Sequence, residues 1–284
     1  MEACGLTTGL VLEGGAMRAL YTAGILDVWM DEGLRADALF GTSAGAIFGA
    51  NLFSGQRGRG LRYNLRYMPD KRYISVRSWL TTGDMFNKDF AYYRMTNELD
   101  PFDEAAFECY GGAFYVIATN VETGEAECLR VNNMVEQLET MRATSALPFF
   151  SRMVAVDGKR YLDGGVSNSI PVRDCLERGY DRVIVILTQP ADYRKQPMNP
   201  TLIHLRYGRY PKLRDALLRR HEAYNAQCED VARLEAEGRV FVIRPESSLG
   251  IGRMERDPAR LQAVYDRGAA DGRRTLADVR AYLA

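Results

Sequence analysis

Apolar and polar positions follow two rhythms along this chain. Residues 9–13 (GLVLE) form a short apolar run that stops at Gly14-Gly15, as a buried strand entering a tight loop would. From 20 to 32, Leu20, Ala23, Ile25, Leu26 and Trp29 recur at mostly helical spacing, and Gly33 supplies a stop. Residues 38–40 predict a second strand, ended by GTSAGA. Residues 46–53 then predict an apolar helix closed by Ser54-Gly55. Strand, loop, helix, strand, sharp turn, helix is the order of a parallel α/β sheet.

The middle of the chain is less regular. Residues 57–77 are basic and aromatic, and 87–99 predict a helix. Two strands are expected over 113–120 and 125–131 around a turn at 122–124, followed by a helix over 135–144. Residues 153–156 and 160–162 read as a hairpin around Asp157-Gly158. RVIVILT, 182–188, is the clearest buried strand. A long charged helix with room for a break fits 213–237, then a strand over 239–244 and helical segments from 257 onward. The proline-containing stretch 189–200 is the best boundary, yet a strand pattern recurs after it. One domain over 1–284 is therefore expected, with core motifs in about 8–190 and the elements of about 201–284 packed on it.

Composition narrows the class only a little. The chain has 284 residues, 46% of them hydrophobic and 26% charged, enough to bury a core without disulfides or metals. Lys plus Arg equal Asp plus Glu at 37 each, which argues against nucleic-acid binding. The five cysteines (Cys4, Cys109, Cys128, Cys175, Cys228) are scattered, odd in number and without metal-ligand spacing, as reduced cytosolic thiols would be. Residues 1–8 lack the basic-then-apolar pattern of a signal peptide, and no apolar run is long enough to span a bilayer. A cytoplasmic protein is expected, with peripheral membrane contact kept open.

The chemistry concentrates in three places. Gly41-Thr42-Ser43-Ala44-Gly45 fits G-x-S-x-G, between a predicted strand and a predicted helix. Such a turn holds a serine hydroxyl clear of the sheet, with the positive end of the helix behind it. Directly after the first strand, Glu13-Gly14-Gly15-Ala16-Met17-Arg18 is a loop of small residues whose backbone N–H groups could hold an oxyanion. A nucleotide phosphate loop is the competing reading, but the spacings G-x-G-x-x-G and G-x-x-x-x-G-K are both absent. Leu162-Asp163-Gly164-Gly165 supplies an acid at a strand end. A serine nucleophile needs a base, and the only histidines, His204 and His221, lie in an Arg-rich helical region. Asp163 is the candidate not tied to a histidine.

In this order, E-G-G-A-M-R, G-T-S-A-G, A-T-S-A-L-P-F-F and D-G-G-V-S-N-S-I-P resemble the patatin-like phospholipase family, over roughly residues 10–187. The resemblance implies a three-layer α/β/α fold with a mostly parallel sheet, and a lipid or ester substrate. It implies Ser43 as nucleophile, Asp163 as general base without a histidine, and an oxyanion hole from Gly14, Gly15 and Ala16. Arg18 takes the family's basic position, orienting the loop or meeting a substrate phosphate; no cofactor or metal is implied. The chain departs at two places: Ala16 stands where the third glycine is usual, and Ala19 where a glycine follows the arginine. Alanine tolerates positive φ poorly, so such a loop would be strained.

Two other readings stand beside this one: a Ser-Asp-His hydrolase built from Ser43, Asp163 and His204 or His221, and a catalytically weak lipid-binding member of the fold. The segment 57–77 bears on partners. It carries Arg57, Arg59, Arg62, Arg66, Lys71, Arg72 and Arg77 against Asp70, with Tyr63, Tyr67, Met68 and Tyr73 interleaved. It reads either as a surface for anionic lipid headgroups or as a solvated helix face over core aromatics. A similar basic cluster comprises Arg206, Arg209, Lys212, Arg214, Arg219 and Arg220.

Overall fold

A computed structural model describes residues 6–284. Cys4 and residues 1–5 of the stretch read for a leader lie outside the described residues. In chain order the elements begin with β1 (Thr8–Leu12), α1 (Leu20–Asp31), β2 (Ala38–Thr42), α2 (Ala44–Phe53), α3 (Arg59–Tyr67) and α4 (Val76–Thr82). A π-helix over Asp89–Leu99 precedes α5 (Glu104–Cys109), β3 (Ala113–Asn120), β4 (Ala126–Val131) and α6 (Leu138–Ser145). The hairpin β5 (Val154–Val156) and β6 (Lys159–Asp163) leads to α7 (Val172–Leu176) and β7 (Arg182–Ile186). The chain closes with α8 (Pro200–Tyr207), α9 (Pro211–Ala236), β8 (Phe241–Ile243) and α10 (Pro258–Leu283).

Five strands run parallel, with β3 beside β2, β2 beside β1, β1 beside β7 and β7 beside β8. Side chains on these strands alternate between two cores, as the strand period of two demands. Leu10, Leu12, Leu39, Ile184 and Ile186 face α1, α2 and α10. Val11, Phe40, Val183 and Val185 face α7 and α9. The result is a helix–sheet–helix sandwich, an α/β fold with a mixed, mostly parallel sheet, as expected.

The long C-terminal helices start where their sequences provide for it. Asp257 caps α10 by accepting from the Ala259 N–H at 2.9 Å, and Pro258 and Pro211 occupy first-turn positions, where a missing N–H costs nothing. Helix α9 runs unbroken, and α10 is one helix rather than several segments. Within the stretch 87–99, Asp89–Leu99 winds as a π-helix, at whose end the Asp100 N–H reaches back to the Met95 carbonyl.

The basic segment 57–77 is neutralised only in part, since Arg66, Lys71 and Arg77 are exposed and make no ion pair among the described residues. Arg57 pairs with Asp31, Arg62 with Asp100 and Arg72 with Asp70. Arg59 is buried against Asn51 and the Asp100 carbonyl. Tyr63, Tyr67, Met68 and Tyr73 are core residues. Among the described residues no helix is long and apolar enough to cross a membrane.

Candidate active site

Strand β3 brings the site together. One of its edges pairs with β4. The other edge is shared end to end: β2 occupies it up to the pair Thr42–Ile117, and β6 continues from the opposite direction, ending at the pair Asp163–Ala118. The chain turns out of β2 at Ser43 and out of β6 at Asp163, so the two side chains meet where the strands abut. Ser43 Oγ donates to Asp163 Oδ2 at 2.6 Å, with both residues buried.

Ser43 sits on a strained turn, with φ 54° and ψ −126°, immediately before α2. A non-glycine residue in that region costs on the order of 1–3 kcal/mol and persists only when its surroundings enforce it. Here they do. The Ser43 N–H donates to Thr144 Oγ1 at 2.9 Å, and Thr144 in turn donates to the Ile117 carbonyl. The glycines of the motif answer a steric need: a Cβ on Gly41 would lie 2.5 Å from the Ala46 Cα, and one on Gly45 would lie 2.7 Å from the Glu13 carbonyl oxygen. Only glycines let α2 pack this closely on the strand ends.

Asp163 is held by its other oxygen. The Gly165 N–H donates to Oδ1 at 2.7 Å, and the Thr119 hydroxyl donates to the Asp163 carbonyl. Burial raises its carboxyl pKa above the ordinary value, opposed by the Ser43 hydrogen bond and the charges of Arg220 and Arg253.

The glycine-rich loop passes beside this pair. The Gly14 N–H donates to the Ser169 carbonyl at 3.2 Å, whereas those of Gly15 and Ala16 have no partner among the described residues. Ala16 adopts φ 49°, the left-handed conformation that alanine resists. Ahead of the loop, Glu13 is fully buried, accepting from the Thr188 N–H and hydroxyl and from the Tyr224 hydroxyl.

Two cavities open from Ser43, and Ala16, Ser43 and Leu147 line both. One is apolar, walled by Ile47, Phe48, Tyr92, Met95 and Met141, with about 910 Å³ of space partly open to solvent. The other is polar and includes Asp163, Arg18, Lys195, Arg220 and Arg253. Neither histidine lines either cavity. His204 is exposed and bonded to the Pro200 carbonyl, and the nearest acid to His221 is its neighbour Glu222 at 3.9 Å. Among the described residues no three His, Cys, Asp or Glu side chains are grouped as a metal would require.

Sequence reasoning pointed to Ser43, Asp163 and the loop, and the fold gathers them. It gave no place in the site to Lys195 or Arg253, which sit in loops without local signature. Arg220 had a signal: it falls on the same stripe of α9 as Leu213, Leu217 and Tyr224, all buried. An arginine on the apolar side of a helix has a task in the interior.

Over 192 residues the chain is 29% identical to an uncharacterized protein, YjjU, of Escherichia coli, covering 66% of this chain and 54% of that protein. It is 27% identical over 198 residues to a lysophospholipase of Emericella nidulans and 24% identical over 200 to one of Saccharomyces cerevisiae. Those matches cover 64% and 67% of this chain but 12% and 11% of the relatives, so the chain corresponds to a small part of them. Among solved structures, VipD from Legionella pneumophila aligns over 96% of this chain and 67% of its own, at 11% identity and a TM-score of 0.47. A domain of unknown function matches residues 210–284, and the patatin-like phospholipase family matches residues 10–176. The chain belongs to the patatin-like phospholipase family.

Proposed function

We propose that the chain is a serine lipid acyl hydrolase, of phospholipase A or carboxylesterase type, working through Ser43 and Asp163. The observation that carries this reading is the direct 2.6 Å hydrogen bond from the Ser43 hydroxyl to the Asp163 carboxylate. Asp163 takes the hydroxyl proton as Ser43 Oγ attacks the ester carbonyl carbon. The tetrahedral oxyanion accepts hydrogen bonds from the Gly15 and Ala16 N–H groups, at the positive end of α2. Gly14 is left out of this donor set because its N–H is already bonded.

As the intermediate collapses, the C–O bond to the alcohol breaks and Asp163 returns the proton to the leaving oxygen. Water then attacks the acyl-enzyme, gives a proton to Asp163, and the fatty acid leaves as Ser43 recovers its hydrogen. A raised carboxyl pKa suits this cycle, since a base is most effective when its pKa approaches the working pH. The apolar cavity would take the acyl chain. A Ser-Asp-His triad is disfavoured because Asp163 bonds the serine itself and neither histidine lines the cleft.

The chain is taken to act as one unit, since α9 and α10 complete the cores on the two faces of the sheet. The partner proposed is the ester substrate; peripheral contact with anionic lipid through segment 57–77 stands as a secondary proposal, resting on Arg66, Lys71 and Arg77, which are exposed. Fluorophosphonate labelling together with hydrolysis of an ester panel tests the proposal. Wild-type protein should label at Ser43 and turn over, and Ser43→Ala and Asp163→Asn should lose both by a thousandfold or more, an order of magnitude set by loss of a nucleophile or base. A folded wild-type protein that neither labels nor hydrolyses would overturn it in favour of a lipid-binding role.

A further inference from the structure

The polar cavity beside Ser43 holds more positive charge than the proposed chemistry uses. Arg18, Lys195, Arg220 and Arg253 all line it. None of the four has a carboxylate within 4.0 Å among the described residues. The acids nearby are engaged elsewhere: Asp163 with Ser43 and Gly165, Glu13 with Thr188 and Tyr224.

The cations themselves are poorly satisfied. Arg18 Nε is buried with no hydrogen-bond partner. Lys195 is 9% exposed, and its ammonium lies over the Tyr224 ring at 3.6 Å from the centroid. Arg220, also 9% exposed, uses Nε to hold the Gly165 carbonyl at 2.5 Å, leaving the rest of its fork for other partners. Burial and mutual repulsion push Arg220 down to about 10 and Lys195 well below the usual lysine range. Four like charges around one small space are unfavourable unless an anion joins them.

We propose that Arg18, Lys195, Arg220 and Arg253 form a phosphate-anion site next to the scissile ester. Two observations select phosphate. Donors converge from four separate segments, which suits an anion with several outward oxygens better than a two-oxygen carboxylate. The cavity also meets the apolar one at Ala16, Ser43 and Leu147, so an ester spanning Ser43 would have its acyl chain on one side and its alcohol portion among the cations. The ligand is then a phosphate monoester or diester on that alcohol, or free phosphate. Arg220 and Arg253 lie in the matched domain of unknown function, which thereby acquires a role in recognition. The placement of a headgroup rests on the Ser43 reading; the anion site does not.

Two measurements test this. In Ser43→Ala protein, inorganic phosphate should raise the melting temperature in a saturable way, and Arg253→Gln or Lys195→Gln should weaken its binding about tenfold, the effect of one lost charge-assisted bond. Arg253 is exposed, so its variant is not expected to disturb folding. With active protein, kcat/KM is compared for two esters of one acyl chain, a lysophospholipid and an uncharged glycerol monoester. Arg253→Gln should lower the phosphorylated-to-neutral ratio about tenfold, while Arg239→Gln, an exposed residue outside the cavity, leaves it alone. A ratio shift identifies a headgroup; phosphate binding with an unchanged ratio identifies free phosphate. No phosphate effect on Ser43→Ala together with an unchanged ratio overturns the proposal. Absence of ester turnover in wild type with phosphate binding intact would instead overturn the Ser43 reading alone.

Discussion

The Tyr224 hydroxyl donates to Glu13 Oε1 at 2.7 Å, joining residues 211 positions apart in a fully buried contact. It ties the middle of α9 to the residue that follows β1 and precedes the glycine-rich loop. Glu13 Oε2 takes the Thr188 N–H and hydroxyl on the adjoining strand end. Removing the carboxylate leaves those donors buried without an acceptor. Glu13→Ala should therefore lower unfolding free energy by about 2–4 kcal/mol, and Tyr224→Phe by about 1 kcal/mol. Urea denaturation measures both, and unchanged midpoints would show that water replaces the carboxylate without loss.

Ala16 should respond in the opposite direction. An alanine in the left-handed region costs about 1–2 kcal/mol, of which glycine's extra freedom in the unfolded chain returns roughly half. Ala16→Gly, with φ 49° now unstrained, should stabilise the fold by up to about 1 kcal/mol. If Ala16 donates to the oxyanion, kcat should change by less than about threefold, because the N–H remains. A destabilised Ala16→Gly protein would mean that the Ala16 methyl makes packing contacts worth more than the strain.

The histidines separate a dyad from a triad. His204 is exposed and His221 has no bond to Ser43 or Asp163. A His204→Asn/His221→Asn double variant should retain ester hydrolysis within about threefold, against a loss of several orders of magnitude for a true triad base. Steady-state kinetics on the folded variant decides between them.

Asp163 predicts the pH behaviour. Its carboxyl pKa is raised by burial, so activity that needs the carboxylate should fall on the acid side at a pH above the ordinary aspartate value of 3.8. The stability sign follows from linkage. A raised carboxyl pKa means the folded state favours the protonated form; that contribution is present below the unfolded pKa and lost as pH rises through the folded one. Asp163→Asn, which is never charged, should thus be more stable relative to wild type at pH 8 than at pH 4. Melting temperatures across that range read the sign directly, and a gap that narrows toward alkaline pH would contradict it.

The local pattern determined a good deal of this protein. The run 9–13 ending in two glycines, the strand before GTSAG and the apolar helix after it follow from burial periodicity and from the room that Gly41 and Gly45 leave at the elbow. The basic stretch 57–77 is ambiguous in sequence, because residue order does not reveal that Asp31 and Asp100 take up Arg57 and Arg62. The pattern over 87–99 predicts a helix without its type, since the wider turn of the π-helix at Asp89–Leu99 leaves no separate mark in a short amphipathic segment.

Sequence order also named Ser43 and Asp163 as a pair without being able to bring them together. They are 120 residues apart, and their contact exists because β2 and β6 share one edge of β3 and stop against each other there. The same holds for the four cations, which come from the loop after β1, the stretch before α8, the buried face of α9 and the loop before α10. Hydrophobic periodicity and turn chemistry are short-range properties, so they are written in adjacent residues. Strand pairing and convergence of charge depend on how distant segments pack, and only the folded chain decides them.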